Sequence, residues 1–298
     1  MIYNDKAENI LPSIQENSID MVLTDPPYFL YNMDNDWNLE TVNSEKNKKL
    51  ITSLPAGMKF DRQQGKDLYD WYLQISLEIF RILKPGAFFF SFSSPRLYHR
   101  LTSAVDDAGF EIRDMFMWLY TKNQMKAMSI NRSIESLKIS EEEKQLLKKK
   151  LDGFKTPQVK SCFEPITMGQ KPRKGNNLNN FLEYNVGLIN TNIKQGRDEN
   201  YFISNVISTD FICEAIDKFF LVEKPSKQEK GEKNIHKTVK PLQLCEFLIT
   251  IFTNEGATIL DPFAGSGTTL LAAKKNNRNY IGIEMNAEYV TIINDRLK

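Results

Sequence analysis

Histidine and cysteine are scarce. The 298 residues include only His99 and His236, and only Cys162, Cys213 and Cys245. That set makes no credible metal cluster, so no metal is expected. The cysteines lie far apart with no Cys-x-x-Cys pairing, which excludes a disulfide framework and reads as buried thiols in a reducing compartment. No apolar run approaches the length of a membrane span, and the start Met1-Ile2-Tyr3-Asn4-Asp5 has no signal-peptide pattern, so a cytoplasmic protein is expected. An excess of either charge is missing too, with 39 basic against 38 acidic residues, which excludes a basic tail protein.

The distribution of charge is less even than its total. Between Lys122 and Lys174 stand 13 basic and 6 acidic residues. This suits either a surface facing a polyanion or a solvated helix face. Within it, Ser140-Glu141-Glu142-Glu143 is a capping-box start, and Lys148-Lys149-Lys150 closes the same helix before Gly153. Acids first and bases last suit the helix dipole, so these lysines have a local explanation.

The chain can hold one large α/β domain with an insertion. Short strands are predicted at Ile2-Tyr3, at Met21–Thr24, over Ala87–Phe92, Met115–Thr121 and Ala257–Leu260, and at Tyr280–Ile283. Helices are predicted at Ala7–Ile14, at Asp67–Leu83 with Leu68, Trp71, Ile75, Leu77, Ile79 and Ile82 inward, at Arg96–Ala108, and at Pro241–Phe252 with Leu244, Phe247, Leu248 and Ile251 inward. Lys84-Pro85-Gly86 is read as a stop. Leu39–Lys66 reads as a polar loop, Phe154–Asn234 as irregular, and Lys224–Lys233 as a flexible segment.

Two stretches carry chemistry. The first is Asp25-Pro26-Pro27-Tyr28, directly after the apolar strand Met21-Val22-Leu23-Thr24. Two prolines forbid continuation of the strand, so a stiff turn leaves the sheet with a carboxylate, a carbonyl without a ladder partner and an aromatic ring. Carboxyl ends of parallel strands are where open α/β sheets bind ligands. An exocyclic amino group on a nucleobase needs such a turn, because its lone pair is delocalised into the ring. Two fixed acceptors, the Asp25 carboxylate and the Pro26 carbonyl, would take its N–H bonds and draw the lone pair out of conjugation, while Tyr28 stacks on the base. Taken alone, the tetrapeptide is equally an Asp-Pro turn with a surface tyrosine.

The second stretch is the strand Ala257–Leu260 running into Asp261-Pro262-Phe263-Ala264-Gly265-Ser266-Gly267-Thr268-Thr269 and a helix over Leu270–Lys275. Glycines allow close backbone approach, and a helix N-terminus offers N–H groups to a carboxylate. The next strand ends at Glu284, 19 residues after Gly265, where a carboxylate suits the hydroxyls of a ribose. No lysine follows the second glycine, as a P-loop requires, and the three-glycine dinucleotide pattern is absent. These features favour a nucleoside cofactor carrying an amino-acid tail over NAD or ATP.

Together the motifs resemble the amino-group DNA methyltransferases that use S-adenosylmethionine, in the permuted β group that carries its catalytic motif first. The pattern D/N/S-P-P-Y/F stands as Asp25–Tyr28, and D-P-F-x-G-S-G-T as Asp261–Thr268. His236-Lys237-Thr238-Val239-Lys240-Pro241 is similar to the family's H-P-T-x-K-P segment, with Lys237 where proline is usual, and Asn4-Asp5 to its opening G-D, with Asn4 where glycine is usual. The resemblance covers about residues 1–121 and 236–298, and extends to 160–174 through Glu164-Pro165-Ile166 and Gln170-Lys171-Pro172.

The resemblance implies an α/β fold with a doubly wound, mostly parallel seven-stranded methyltransferase sheet. The sheet would be circularly permuted, with a catalytic half at 1–121, an inserted target-recognition region at 122–235 and a cofactor half at 236–298. It implies that Asp25 and Pro26 bind the amino group, that Pro27 belongs to the same catalytic tetrapeptide, and that Tyr28 stacks on an everted base. Phe263 would lie on the cofactor's adenine, Glu284 would hold its ribose, and Asp5 would reach the adenine edge. Asp261 would face the methionine amino group, Thr238 and Lys240 its carboxylate, and Gly265, Ser266, Gly267 and Thr268 would form the cradle. Lys122, Lys171, Arg173 and Lys174 are the expected contacts to double-stranded DNA in a nucleoid-associated protein. A homodimer and a separately acting restriction endonuclease are both compatible with it. The aspartate heading the tetrapeptide leans toward adenine N6, with cytosine N4 the alternative; a DNA-binding regulator that has lost activity is disfavoured by the intact acceptors and cofactor loop. No cysteine follows a proline, which disfavours methylation at cytosine C5.

Overall fold

The computed structural model describes residues 1–27, 62–120, 127–157, 159, 161–192, 203–208, 220–221, 225 and 239–298. Tyr28, Lys122, Cys213, Thr238, most of the polar loop and, apart from Pro225, the segment 224–233 lie outside the described residues.

One nine-stranded sheet organises the molecule. Its strands are β1 (Ile2–Tyr3), β2 (Ile19–Thr24), β3 (Leu83–Phe92), β4 (Glu111–Leu119), β5 (Phe163–Gln170), β6 (Val206–Ser208), β7 (Phe220–Leu221), β8 (Thr258–Asp261) and β9 (Asn279–Ile283), in the spatial order β1-β9-β8-β2-β3-β5-β4-β6-β7. All neighbours run parallel except that β5 is antiparallel to both β3 and β4. The two ends of the chain meet in this sheet. Ile2 pairs with Gly282, and the N-terminal ammonium donates to Tyr280 O at 2.8 Å.

Strand period explains the two cores. Met21 and Leu23 of β2, with Phe88 and Phe90 of β3, face helix α7 (Leu242–Phe252), whose Leu244, Phe247, Leu248 and Phe252 close one layer. Val22 and Phe89 point the other way, toward α2 (Arg62–Ile82) and α3 (Tyr98–Asp107), where they meet Tyr72, Ile75, Ile79, Leu101 and Val105. Both faces are covered, as near-continuous apolar strands require. The remaining helices are α1 (Ala7–Ile10, continued by a 3-10 turn to Ser13), α4 (Asn131–Glu135), α5 (Glu141–Lys150), α6 (Asn177–Tyr184), α8 (Thr268–Lys275) and α9 (Ala287–Arg296). Helix α5 carries the expected capping box between Ser140 and Glu143. Among the described residues no helix is long and apolar enough to cross a membrane.

Several expectations need correction. Residues 62–66 are helical, not loop, and Leu77 is on the exposed side of α2. Lys84-Pro85-Gly86 does not separate helix from strand but forms a bulge within β3. Ile19 pairs with Leu83 and Met21 with Phe88, so Asp20 alone faces the residues between them. Its Oδ1 takes Lys84 Nζ at 2.6 Å, and its Oδ2 takes the Thr258 N–H at 2.7 Å. Strand β4 begins and ends earlier than predicted. Residues 163–170, expected inside a recognition insertion, form β5 in the middle of the sheet, so any recognition part of 122–235 excludes them. Cys245 is buried as expected, whereas Cys162 is exposed.

The bulge also gives a stability prediction. Gly86 has φ +82°, and a Cβ there would stand 2.3 Å from Asn180 Nδ2, which itself donates to Pro85 O and Val186 O. Gly86→Ala is expected to destabilise the fold by about 1–3 kcal/mol. A lowered urea midpoint checks this, and an unchanged midpoint would remove the role.

Candidate active site

The carboxyl edge of the parallel strands gathers both chemical stretches. Strands β2 and β8 are neighbours, with Met21 opposite Ile259 and Val22 opposite Leu260, so their exits lie side by side. Thr24 Oγ1 donates to Asp261 Oδ1 at 2.7 Å, across 237 residues of sequence. Asp25 is half-buried and Pro26 buried where the chain turns out of the sheet. Because β5 is antiparallel, its amino end lies at this edge too, and it brings Glu164 there.

Lys240 is buried between these carboxylates. Its Nζ lies 2.7 Å from Asp25 Oδ2 and 2.8 Å from Glu164 Oε2, and it sits over the rings of Phe92 and Trp118 at 4.9 and 5.8 Å. Burial alone would lower its pKa, but the two carboxylates more than offset that and hold the ammonium above its usual value. Lys240, expected beside a cofactor carboxylate, is joined to Asp25. In the sequence Glu164 stands only as part of a family-like stretch. The signal for more was an acid at the head of a strand-like run, Pro165-Ile166-Thr167-Met168.

The glycine turn is held from behind. Glu284 follows β9 and accepts the Gly265 N–H at 2.8 Å on Oε2 and the Asn286 N–H at 2.8 Å on Oε1. Burial nevertheless pushes its carboxyl up to about 7. Asp261 is pushed up to about 6 by burial, against hydrogen bonds from Thr24, Thr269 and the Phe263 N–H. Gly267 caps α8 with φ +81°, and a Cβ there would press Ile293 at 3.0 Å. Phe263 is half-buried, its ring 5.4 Å from that of Trp71, which donates to Glu8 Oε1 at 2.6 Å. Asp5 is exposed at the same edge and accepts from Asn9 Nδ2 and the Lys6 N–H. Asn4 Nδ2 donates to the carbonyls of Glu284 and Met285, which gives this departure from glycine a part in joining β1 to β9.

Ser266 and Thr268 are buried, and their hydroxyls are engaged by the protein itself. Arg296 Nη1 donates to Ser266 O at 2.7 Å and to the hydroxyls of Ser266 and Thr268 at 3.1 Å. These two side chains shape the turn rather than line it.

Of the expected DNA contacts, the three described residues Lys171, Arg173 and Lys174 are not brought to this edge. Lys171, Arg173 and Lys174 follow the carboxyl end of antiparallel β5, at the opposite edge from Asp25. Lys171 is buried, and its Nζ donates to Leu83 O at 2.7 Å, Arg81 O at 3.4 Å and Asn17 Oδ1 at 2.9 Å. Its charge answers carbonyls at the end of α2, as cations near helix C-termini do. Lys174 donates to Tyr184 Oη and Arg173 is exposed nearby. Among the described residues there is no group of histidine, cysteine and carboxylate side chains that could hold a metal.

Comparison with known proteins gives the family. Residues 19–295 match the family described as DNA methylase. The chain belongs to that family, the N6/N4 amino-group DNA methylases. It is 30% identical to the type II methyltransferase M.HindIII of Haemophilus influenzae, over 99% of this chain and 94% of that protein. It is 25% identical to M.HpaI of Haemophilus parainfluenzae, over 98% and 72%. Among solved structures the M1.HpyAVI-SAM complex matches at a TM-score of 0.55 and 20% identity, over 100% of this chain and 99% of that one. The PvuII DNA methyltransferase, titled cytosine-N4-specific, matches at 0.59 and 18%, over 100% and 86%. These structural likenesses carry the fold alone.

As a DNA methylase the protein takes its methyl group from S-adenosylmethionine. The residues present fit that cofactor. A buried carboxylate, Glu284, ends the strand after the glycine turn, an aromatic ring, Phe263, is half-open beside it, and Asp261 stands next to the catalytic strand. The Arg296 clamp makes a further prediction. Arg296→Ala is expected to loosen the turn and weaken cofactor binding by about tenfold, the equivalent of one lost charged hydrogen bond. Calorimetric titration measures this, and an unchanged dissociation constant would leave Arg296 with packing alone.

Proposed function

We propose that the protein methylates N6 of an adenine everted from a specific double-stranded DNA sequence, within a restriction-modification system. The observation that carries this reading is the 2.7 Å bond from Thr24 to Asp261, which ties the Asp25-Pro26-Pro27 turn to the glycine turn at one sheet edge. When bound, S-adenosylmethionine supplies an electrophilic methyl group on a sulfonium sulfur. Glu284 would hold its ribose, Phe263 its adenine and Asp261 its amino group.

The protein's own part in the chemistry is positional and electrostatic. The Asp25 carboxylate and the Pro26 carbonyl accept the two N–H bonds of the amino group, which localises the lone pair on nitrogen. The surplus proton leaves through Asp25. Tyr28 would stack on the base, returning about 1–3 kcal/mol against the few that eversion costs. Contacts to the DNA backbone supply the rest.

The strand order supports a sheet whose sequence is cut so that the catalytic strands come first and the cofactor strands last. The recognition part is proposed to lie in 122–235 outside β5. Helix α5 is a weak candidate for direct contact, because Lys144 pairs with Glu141 and Lys148 with Glu135.

Adenine is favoured by the aspartate at the head of the tetrapeptide. The test is mass analysis of nucleosides from DNA methylated by the purified protein. N6-methyldeoxyadenosine is expected, and N4-methyldeoxycytidine would replace the reading with its alternative. Sequencing of the same DNA with modified-base detection then gives the site.

A further inference from the structure

We propose that Lys240 and Glu164 are positioning residues for the catalytic carboxylate: the buried ammonium fixes Asp25 at its turn, and Glu164 shares that ammonium so that Asp25 keeps its strength as an acceptor. The inference rests on the reading of Asp25 as the acceptor of the substrate amino group. It goes beyond that reading by giving a catalytic purpose to two side chains outside the tetrapeptide.

The arrangement is poor as a mere stabiliser. An ammonium enclosed by two carboxylates and two aromatic faces is costly to desolvate, and a well-packed apolar residue in its place would serve the fold as well. Its geometry suits a different purpose. Two carboxylate oxygens within 2.7 and 2.8 Å of one nitrogen are no more than about 5.5 Å apart. Without the cation, the two would repel, and a proton on one of them would relieve that repulsion. A proton on Asp25 would turn its acceptor into a donor and block the grip on the amino group. With the cation but without Glu164, the whole ammonium would bond to Asp25 and drain the electron density that the substrate N–H needs. One cation between two anions avoids both faults.

Among the described residues, the other titratable groups around the cluster do not replace Lys240. Asp261 from β8 and Tyr72 from α2 face Asp25, while Tyr120 after β4 and Cys245 from α7 face Lys240 or Glu164, with Cys162 beside Tyr120. Burial raises Tyr72, and pushes Tyr120 and Cys245 up to about 12, so all three stay neutral across the working range. Asp261, pushed by burial to about 6, is a second acid in the same window, present in every variant below.

The test is single-turnover methyl transfer between pH 5.5 and 8.5 at saturating cofactor, with cofactor affinity measured alongside. The proteins are wild type, Lys240→Met, Glu164→Gln, the double variant and Asp25→Ala. In Lys240→Met the rate should fall on the acidic side of this range more steeply than in the wild type, with a loss of roughly tenfold at pH 6.5. Adding Glu164→Gln should bring the rate at least half-way back, a rescue that general damage to the fold cannot give. Cofactor dissociation constants should stay within about threefold throughout.

An acidic fall no steeper than the wild type's, a steeper one without rescue, or a cofactor affinity that falls with Lys240 would overturn the proposal. The last outcome would hand Lys240 to the cofactor carboxylate. If Lys240→Met does not fold, Glu164→Gln decides. Its rate should fall about tenfold with affinities unchanged, and an unchanged rate overturns the proposal. Full activity in Asp25→Ala would instead overturn the reading of Asp25 on which the inference rests.

Discussion

Asp25→Ala is expected to reduce methyl transfer by at least about a thousandfold, the scale seen when a fixed electrostatic partner of the reacting group is removed. The same variant should bind S-adenosylmethionine within about threefold of the wild type. The two effects separate because of where Asp25 sits. It leaves β2 at the turn, while the glycine turn is held by Glu284, which accepts the Gly265 N–H, and by Arg296, which donates to Ser266. Loss of the carboxylate also leaves no orphaned cation, since Lys240 remains bonded to Glu164 at 2.8 Å. The fold should therefore survive. Single-turnover kinetics beside calorimetric titration of cofactor checks both halves, and a parallel loss of affinity and rate would move Asp25 from the amino group to the cofactor.

Glu284→Ala is expected to act the other way round, weakening cofactor binding by about a hundredfold through loss of charged hydrogen bonds. The Gly265 and Asn286 N–H groups lose their acceptor along with the ribose. Burial raises the folded carboxyl from the ordinary 4.5 to about 7. A ribose is held best by the ionised form, so cofactor affinity should rise with pH through this range and level off above about 7. Binding at pH 6.5 should release a proton, seen as a dependence of the calorimetric heat on the buffer's own ionisation, and Glu284→Ala should abolish that dependence.

The stability of the cofactor-free protein runs opposite to this. A carboxyl that holds its proton more tightly folded than unfolded favours the fold below about 4.5, and that contribution is lost as the pH rises through about 7. A cofactor affinity independent of pH between 5.5 and 8 would remove Glu284 from the ribose.

Local patterns carried much of this into view. The strand over Thr258–Asp261, the glycine turn and α8 are contiguous, and their chemistry is written in adjacent residues. So is the exit of β2, where two prolines can only mean that the strand stops. The capping box of α5 and the inward face of α7 were equally local. What stayed hidden depends on pairing between distant segments. Glu164 reaches the site only because β5 runs antiparallel between β3 and β4, which no periodicity in its own eight residues reveals. Lys171 looked like a DNA contact because it stands in a basic stretch, but the open carbonyls at the end of α2 draw it inward. Leu77 matched the apolar count of its helix and still faces outward, since Tyr72 fills the inner face instead. Lys84-Pro85-Gly86 has the composition of a turn, and the bulge it forms beside Asp20 is a turn folded into a strand.

The most direct test of the central claim is a crystal structure of the protein with S-adenosylhomocysteine and a DNA duplex carrying its site. The cofactor's sulfur should lie between the glycine turn and the Asp25-Pro26 turn, with the everted base's amino nitrogen bonded to both the Asp25 carboxylate and the Pro26 carbonyl. A base bound away from Asp25, or a sulfur on the far side of Asp261, would contradict it.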